Sequence, residues 1–213
     1  VTHNIIERVA QHTEGYGIRF RNISQSIISD NIIRDHSSNM PIGIYVEAIR
    51  NAGQNHISGI AISDNSIIGS AKPIGFGCDD SPDKNALRDI TIENNVLKTT
   101  GDLAVEGLGQ ISGTGIIRGN TIETGLYGLQ FWFWNARTVE WTIDNNHIDG
   151  KGAANSVGIT YYEPSGLPTF FINENTITRL FCGIELLSPF TQAILRSNRF
   201  IGNTEAIYNK FSI

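Results

Sequence analysis

One asparagine returns along the whole chain in a fixed setting: Asn4, Asn31, Asn65, Asn95, Asn120, Asn146, Asn175 and Asn198. The gaps run from 23 to 34 residues. Three residues before it stands an apolar side chain every time: Val1, Ile28, Ile62, Ile92, Ile117, Ile143, Ile172 and Leu195. Two residues after it stands another: Ile6, Ile33, Ile67, Leu97, Ile122, Ile148, Ile177 and Phe200. A unit of this length cannot bury its own apolar side. Copies must stack on one another to close a core, which is the logic of a solenoid.

A second column follows each Asn. It reads Gly17-Ile18, Gly43-Ile44, Gly75-Phe76, Asp102-Leu103, Gly128-Leu129, Gly158-Ile159, Gly183-Ile184 and Ala206-Ile207. Beyond it the pattern alternates, as in Leu129-Gln130-Phe131-Trp132-Phe133-Trp134. Period two means a strand with one buried face. A middle stretch such as Ile60-Ala61-Ile62 alternates too. The expectation is therefore an all-β, parallel β-solenoid of about eight coils with three short strands each. Composition agrees. The chain holds 33 Ile against 11 Leu and one Met, and β-branched residues suit the pleated surface while helices favour Leu. The Asn has a mechanical reading: it tolerates the left-handed turn between second and third strands, and its amide can form a ladder through the stack.

The chain has 213 residues, 17% charged, with a formal net charge of −5. That balance argues against nucleic acid and anionic membrane as partners, since both require basic patches. No stretch approaches the length of apolar sequence that spans a bilayer as a helix. Cys78 and Cys182 are the two cysteines. Counting coils puts them four apart, roughly 19 Å at the ~4.8 Å spacing of strands, so both are expected to be free and to point inward. No composition shift divides residues 1–213, which read as one domain. Val1 falls in mid-coil, Ala206–Ile213 stops inside a strand, and no amphipathic cap is evident. The expectation is a piece of a longer chain, or a homotrimer or other assembly that covers the ends.

The repeated Ile-x-x-Asn-x-Ile and Gly-Ile elements resemble the short coil repeat of the right-handed parallel β-helix superfamily, the pectin-lyase-like fold. The resemblance covers the whole chain. It implies a fold shared by lyases, glycosidases, epimerases and phage tailspikes, and a working surface on the outer face of the first strand and its turns.

Taking the Gly-Ile apolar residue as inward, the position three places later reads Arg21, Glu47, Asp79, Glu106, Trp132, Tyr162, Leu187 and Lys210. One place later it reads Arg19, Tyr45, Gly77, Ala104, Gln130, Thr160, Glu185 and Tyr208. The outward face of the second strand is small or apolar: Ala61, Thr91, Ile116, Thr142, Phe171 and Ile194. The first-strand face thus gathers Glu47, Asp79 and Glu106 in consecutive coils, followed by two aromatics. These three carboxylates are the candidate catalytic residues. Arg21, Tyr45, Asp80, Gln130, Trp132 and Tyr162 are the candidate substrate contacts. Stacked carboxylates repel, so one would hold a proton as a general acid, or Ca²⁺ would sit among them. The bland alternative is solvated charge with an Arg21–Glu47 surface pair. His36 and His56 flank the Glu47 coil as possible bases, and no pair of histidines has zinc-ligand spacing.

The leading expectation is a polysaccharide hydrolase working outside the cell or on a cell or virion surface, with no cofactor. A uronate lyase or epimerase, possibly Ca²⁺-dependent, is the alternative within enzymes. It lacks a basic cluster at the middle of the face. A non-catalytic glycan-binding or structural rod is the third reading. Reducing-end release or an unsaturated product on a polysaccharide panel separates the three.

Overall fold

The computed structural model describes residues 1–7, 15–34, 42–48, 57–78, 87–99, 101, 103–109, 113–133, 139–162, 168–189 and 192–210. The side chains of Ile57 and Cys78 are not among what it describes. Every element in these residues is a strand, and every pairing is parallel. Three sheets of eight, eight and seven strands run the length of the chain. First strands include Tyr16–Arg21, Ile42–Ala48, Lys72–Cys78, Leu103–Gly109, Tyr127–Phe133, Val157–Tyr162, Cys182–Leu186 and Glu205–Asn209. Second strands such as Gly113–Arg118 and third strands such as Thr121–Glu123 form the other two sheets. The chain is a parallel β-solenoid, as its repeat predicts.

Inward residues of all three sheets meet in one core. Ile28, Ile62, Ile92, Ile117 and Ile143 from second strands face Ile33, Ile67, Leu97, Ile122 and Ile148 from third strands, all with no exposed surface. In the middle coils the core turns aromatic. Phe131 lies 5.3 Å from Trp141 and 5.5 Å from Phe170, and Tyr161 lies 4.8 Å from Phe170, ring centre to ring centre. Room for the Trp141 indole comes from Gly115, whose missing side chain would collide with it.

The Asn ladder forms as expected, with six of its members, Asn31 to Asn175, buried. Asn120 shows the unit. Its amide nitrogen shares two N–H groups among Asn146 Oδ1 at 2.9 Å, Arg118 O at 3.0 Å and Ile92 O at 3.0 Å. Its Oδ1 accepts from the backbone and side-chain nitrogens of Asn95, at 2.9 and 3.0 Å. The left-handed residue, however, is not the Asn. It is the residue before it: His3, Asp30, Asp64, Asn94, Gly119, Asn145, Glu174 and Ser197, with φ from 51° to 65°. The Asn instead clamps that turn by bonding the carbonyl two residues back.

The first-strand register corrects the sequence alignment in two coils. The inward column is Ile18, Ile44, Ile74, Val105, Leu129, Ile159, Ile184 and Ile207. Phe76 and Leu103 are therefore each two residues out of place. The reason is steric. A side chain on Gly43, Gly128 or Gly158 would lie 2.5–2.6 Å from a backbone oxygen of the next coil. Coil three carries Pro73 in that column and coil four Ala104, so the marker glycine is absent in both. Gly75 belongs to an outward row. Cys182 is free and buried, and burial pushes its thiol pKa up to about 11.

Two outcomes test this account of the turns. Asn120→Asp keeps the shape but replaces the donor nitrogen with an oxygen facing three acceptors. It should cost about 3 kcal/mol or more in urea denaturation, because several buried groups lose partners together. A midpoint close to wild type would show that the ladder carries no stability. Glu174→Asn places a residue tolerant of positive φ at a left-handed turn and should raise stability by roughly 0.5–1 kcal/mol.

Candidate functional site

Two outward rows run up the first-strand sheet. One reads Arg19, Tyr45, Gly75, Glu106, Gln130, Thr160, Glu185 and Tyr208. The other reads Arg21, Glu47, Gly77, Leu108, Trp132 and Tyr162. Glu47 and Glu106 therefore do not share a column. Glu47 pairs in register with Gly77, and Gly77 with Leu108. Glu106 stands in the other row, because the two-residue slip preserves the in–out phase but moves it along the strand. Asp79 and Asp80 lie outside the described residues, as do His36 and His56.

Glu47 is buried between two arginines. Arg19 Nε and Arg21 Nε each donate to its Oε1 at 2.6 Å. The Arg19 guanidinium also sits 4.4 Å from the Tyr16 ring centre, and Tyr16 stacks on Tyr45 at 5.5 Å. The Tyr45 ring lies across Gly75, where any side chain would strike it. Burial alone would raise the Glu47 pKa, but the hydrogen bonds from Arg19 and Arg21 outweigh it and hold the carboxyl below its ordinary 4.5. Glu47 is therefore an ionised anchor for two cations. Glu106 is likewise matched by Lys72, with which it forms an ion pair. That lysine does not figure in the sequence expectation, since the slip hides its place one strand from Glu106.

Higher on the same face, Tyr127, Gln130, Phe131, Trp132, Thr160, Tyr162, Glu185 and Leu187 line a groove of about 210 Å³. Trp132 and Tyr162 are neighbours in register and remain 49% and 43% exposed. Their rings stand 5.2 Å apart and nearly perpendicular, at 81°. Beside them run the Gln130 amide, the Thr160 hydroxyl and the Glu185 carboxylate. Thr160 Oγ1 donates to Glu185 Oε2 at 3.0 Å. Three expected contacts, Gln130, Trp132 and Tyr162, are thus brought together. Tyr45 lies with Glu47 three strands from Trp132, and Arg21 lies one strand farther. Thr160 and Glu185 occupy outward positions that the alternation already defines, so their place was legible. Their association with the aromatic pair follows from the register.

Carboxylate spacing bears on cleavage. Glu106 and Glu185 are three strands apart, about 14 Å at the usual ~4.8 Å spacing. Glu47 and Glu106 are two strands and two residues apart, about 12 Å on the same reckoning. Glycosidases hold their two carboxyls about 5 Å apart or about 6.5–9.5 Å apart. Measured along the backbone, these described carboxylates stand farther apart than either, and Glu47 and Glu106 are each paired with cations of their own.

The family model described as periplasmic copper-binding protein (NosD) matches residues 2–212. The chain belongs to that family, one of right-handed parallel β-helices with the pectin-lyase-like fold. A search of the curated proteins finds no match. Copper favours thiolate, thioether and imidazole donors. Among the described residues no group of three His, Cys, Asp or Glu side chains comes together. His3 precedes the first ladder Asn and His147 begins a third strand five coils on. The Cys182 thiol is buried and donates to Ile184 O at 3.2 Å. These described donors do not fit a copper centre. His12, His36, His56, Met40 and the Cys78 side chain lie outside what the structure describes.

The arginine clamp has a pH signature. A carboxyl whose pKa is depressed on folding contributes stability above its unfolded value, and loses it as pH falls through the folded one. Wild type should lose stability as the pH drops below about 4.5. Glu47→Gln should be less stable at neutral pH by roughly 1–3 kcal/mol, with a shallower acid slope in that window. Parallel stability curves from urea midpoints would refute the assignment.

Proposed function

We propose that this protein binds a glycan chain outside the cytoplasm, on the groove walled by Trp132 and Tyr162. The observation that carries the reading is the pairing of two half-exposed aromatic rings with a polar row of amide, hydroxyl and carboxylate two residues away along the strands. Sugar rings present apolar C–H faces and a rim of hydroxyls. Aromatic faces take the first, and Gln130, Thr160 and Glu185 are the donors and acceptors for the second. The family's description as periplasmic supports the location.

Binding is favoured over cleavage on this face. Hydrolysis needs an acid and a second carboxylate at working distance. Glu47 and Glu106 are each tied to cations, and Glu185 stands about 14 Å from Glu106, three strands away. Elimination from a uronate needs a neutraliser and a base, yet Arg19, Arg21 and Lys72 are engaged with carboxylates. Copper, which the family's description names, enters no step of this reading, because the described donors do not gather around one point.

Trp132→Ala tests the proposal. It should weaken binding to the best ligand of an oligosaccharide panel by roughly three- to tenfold, read by calorimetric titration. The melting temperature should stay near wild type, since the side chain is 49% exposed. Wild type should release no reducing ends from the same panel. The reading fails if no oligosaccharide binds, or if Trp132→Ala binds as well as wild type.

A further inference from the structure

Three described carboxylates project from the outer face of the first-strand sheet, and they are not treated alike. Glu47 is neutralised by Arg19 and Arg21, and Glu106 by Lys72. Glu185 receives the Thr160 hydroxyl. Among the described residues no lysine or arginine pairs with it. Its neighbours in register are Thr160 on one side and Tyr208 on the other. It is also the one of the three that lines the groove.

A carboxylate left without a cation beside aromatic rings is a recognisable arrangement. Ring faces carry negative potential and attract cations, more strongly where water is thinned out. Two rings at 81° form a corner, with Trp132 and Tyr162 as its walls. A neutral pyranose needs only a flat face. A compact positive group gains from a corner and from a nearby carboxylate. The protein's own net charge of −5 adds a long-range pull of the same sign.

We propose that the groove selects glycans bearing free, protonated amino groups, that is, unsubstituted hexosamine units, with Glu185 as the anionic partner of the ammonium. This inference rests on the glycan-binding reading and adds the charge class of the ligand. The amine would sit against the Trp132–Tyr162 corner, with Gln130 and Thr160 serving neighbouring hydroxyls. An N-acetyl group removes the charge and with it the reason for the preference.

The test compares three oligosaccharides of equal length: glucosamine, N-acetylglucosamine and glucose oligomers, titrated into wild type, Glu185→Gln and Trp132→Ala. The buffer is held below the pKa of the amine. Wild type should bind the glucosamine oligomer about tenfold more tightly than the other two, or better. Glu185→Gln should bind the glucosamine oligomer no more tightly than the neutral ones, with a melting temperature near wild type. Trp132→Ala should weaken all three. Added salt should reduce the preference in wild type only. Choline serves as a free cation. If it competes as well as the oligomer, the corner reads ammonium alone and the hexosamine assignment is overturned. Equal wild-type affinity for the three oligomers overturns the charge preference and leaves glycan binding standing. Failure of all three to bind removes both.

Discussion

The structure depends on one amide repeated once per coil. Each of the six buried ladder Asn residues bonds the Asn of the next coil, and five of them also close the turn in their own coil. Local geometry and stacking register are thus held by one side chain. Buried polar groups are costly when unpaired and strong when part of a complete chain. That makes the ladder a specifying device as well as a stabilising one. A coil shifted by one residue would strip the amides of partners and turn every Ile of that coil to the other face.

This explains why so much of the fold could be read in advance. The ladder needs Asn at one position and an apolar residue at each of two fixed offsets, so the pattern is strict there. The first strand lies farther from the ladder, across turns of varying length, and its register is set by a weaker marker. Glycine recurs because a side chain would strike the backbone of the adjacent coil. Pro73 and Ala104 satisfy or tolerate that constraint differently, and the marker disappears from two consecutive coils. Gly75 then imitates it from an outward row. The second-strand outer row carries no such ambiguity, and Ala61, Thr91, Ile116, Thr142, Phe171 and Ile194 do stand in one line.

For the site the same slip decided the chemistry. Placed in one column, Glu47, Asp79 and Glu106 suggest catalysis. In the true register Glu47 and Glu106 occupy different rows, each with its own cation. The Arg21–Glu47 pair is legible from the column the two share, whereas Lys72, 34 residues before Glu106, and Arg19, 28 before Glu47, are not placed with their partners by the repeat. The aromatic half of the face was legible, because Gln130, Trp132 and Tyr162 lie in coils whose glycine marker is intact. The left-handed turn residue was assigned one place too late. A varied set that includes Glu174 and Ser197 accepts the strain while the invariant Asn relieves it.

What the scaffold supplies to the groove is fixed position. Trp132 sits on a strand whose two flanking residues, Phe131 and Phe133, are both fully buried in the aromatic core. Tyr162 follows Tyr161, which is buried in the same cluster. Each outward ring therefore stands on a backbone pinned from inside by its neighbours and from either side by parallel strands. Little backbone freedom remains to be lost when a ligand arrives, which is the largest avoidable cost of binding at a surface. Coils with Ile interiors could hold a strand in register equally well. The aromatic interior adds wide, interlocked rings beneath this one stretch, where the outer face carries exposed rings of its own. The inside and outside of these strands are thus parts of one construction: buried rings hold the backbone still, and exposed rings use that stillness to present a rigid corner with Glu185 beside it.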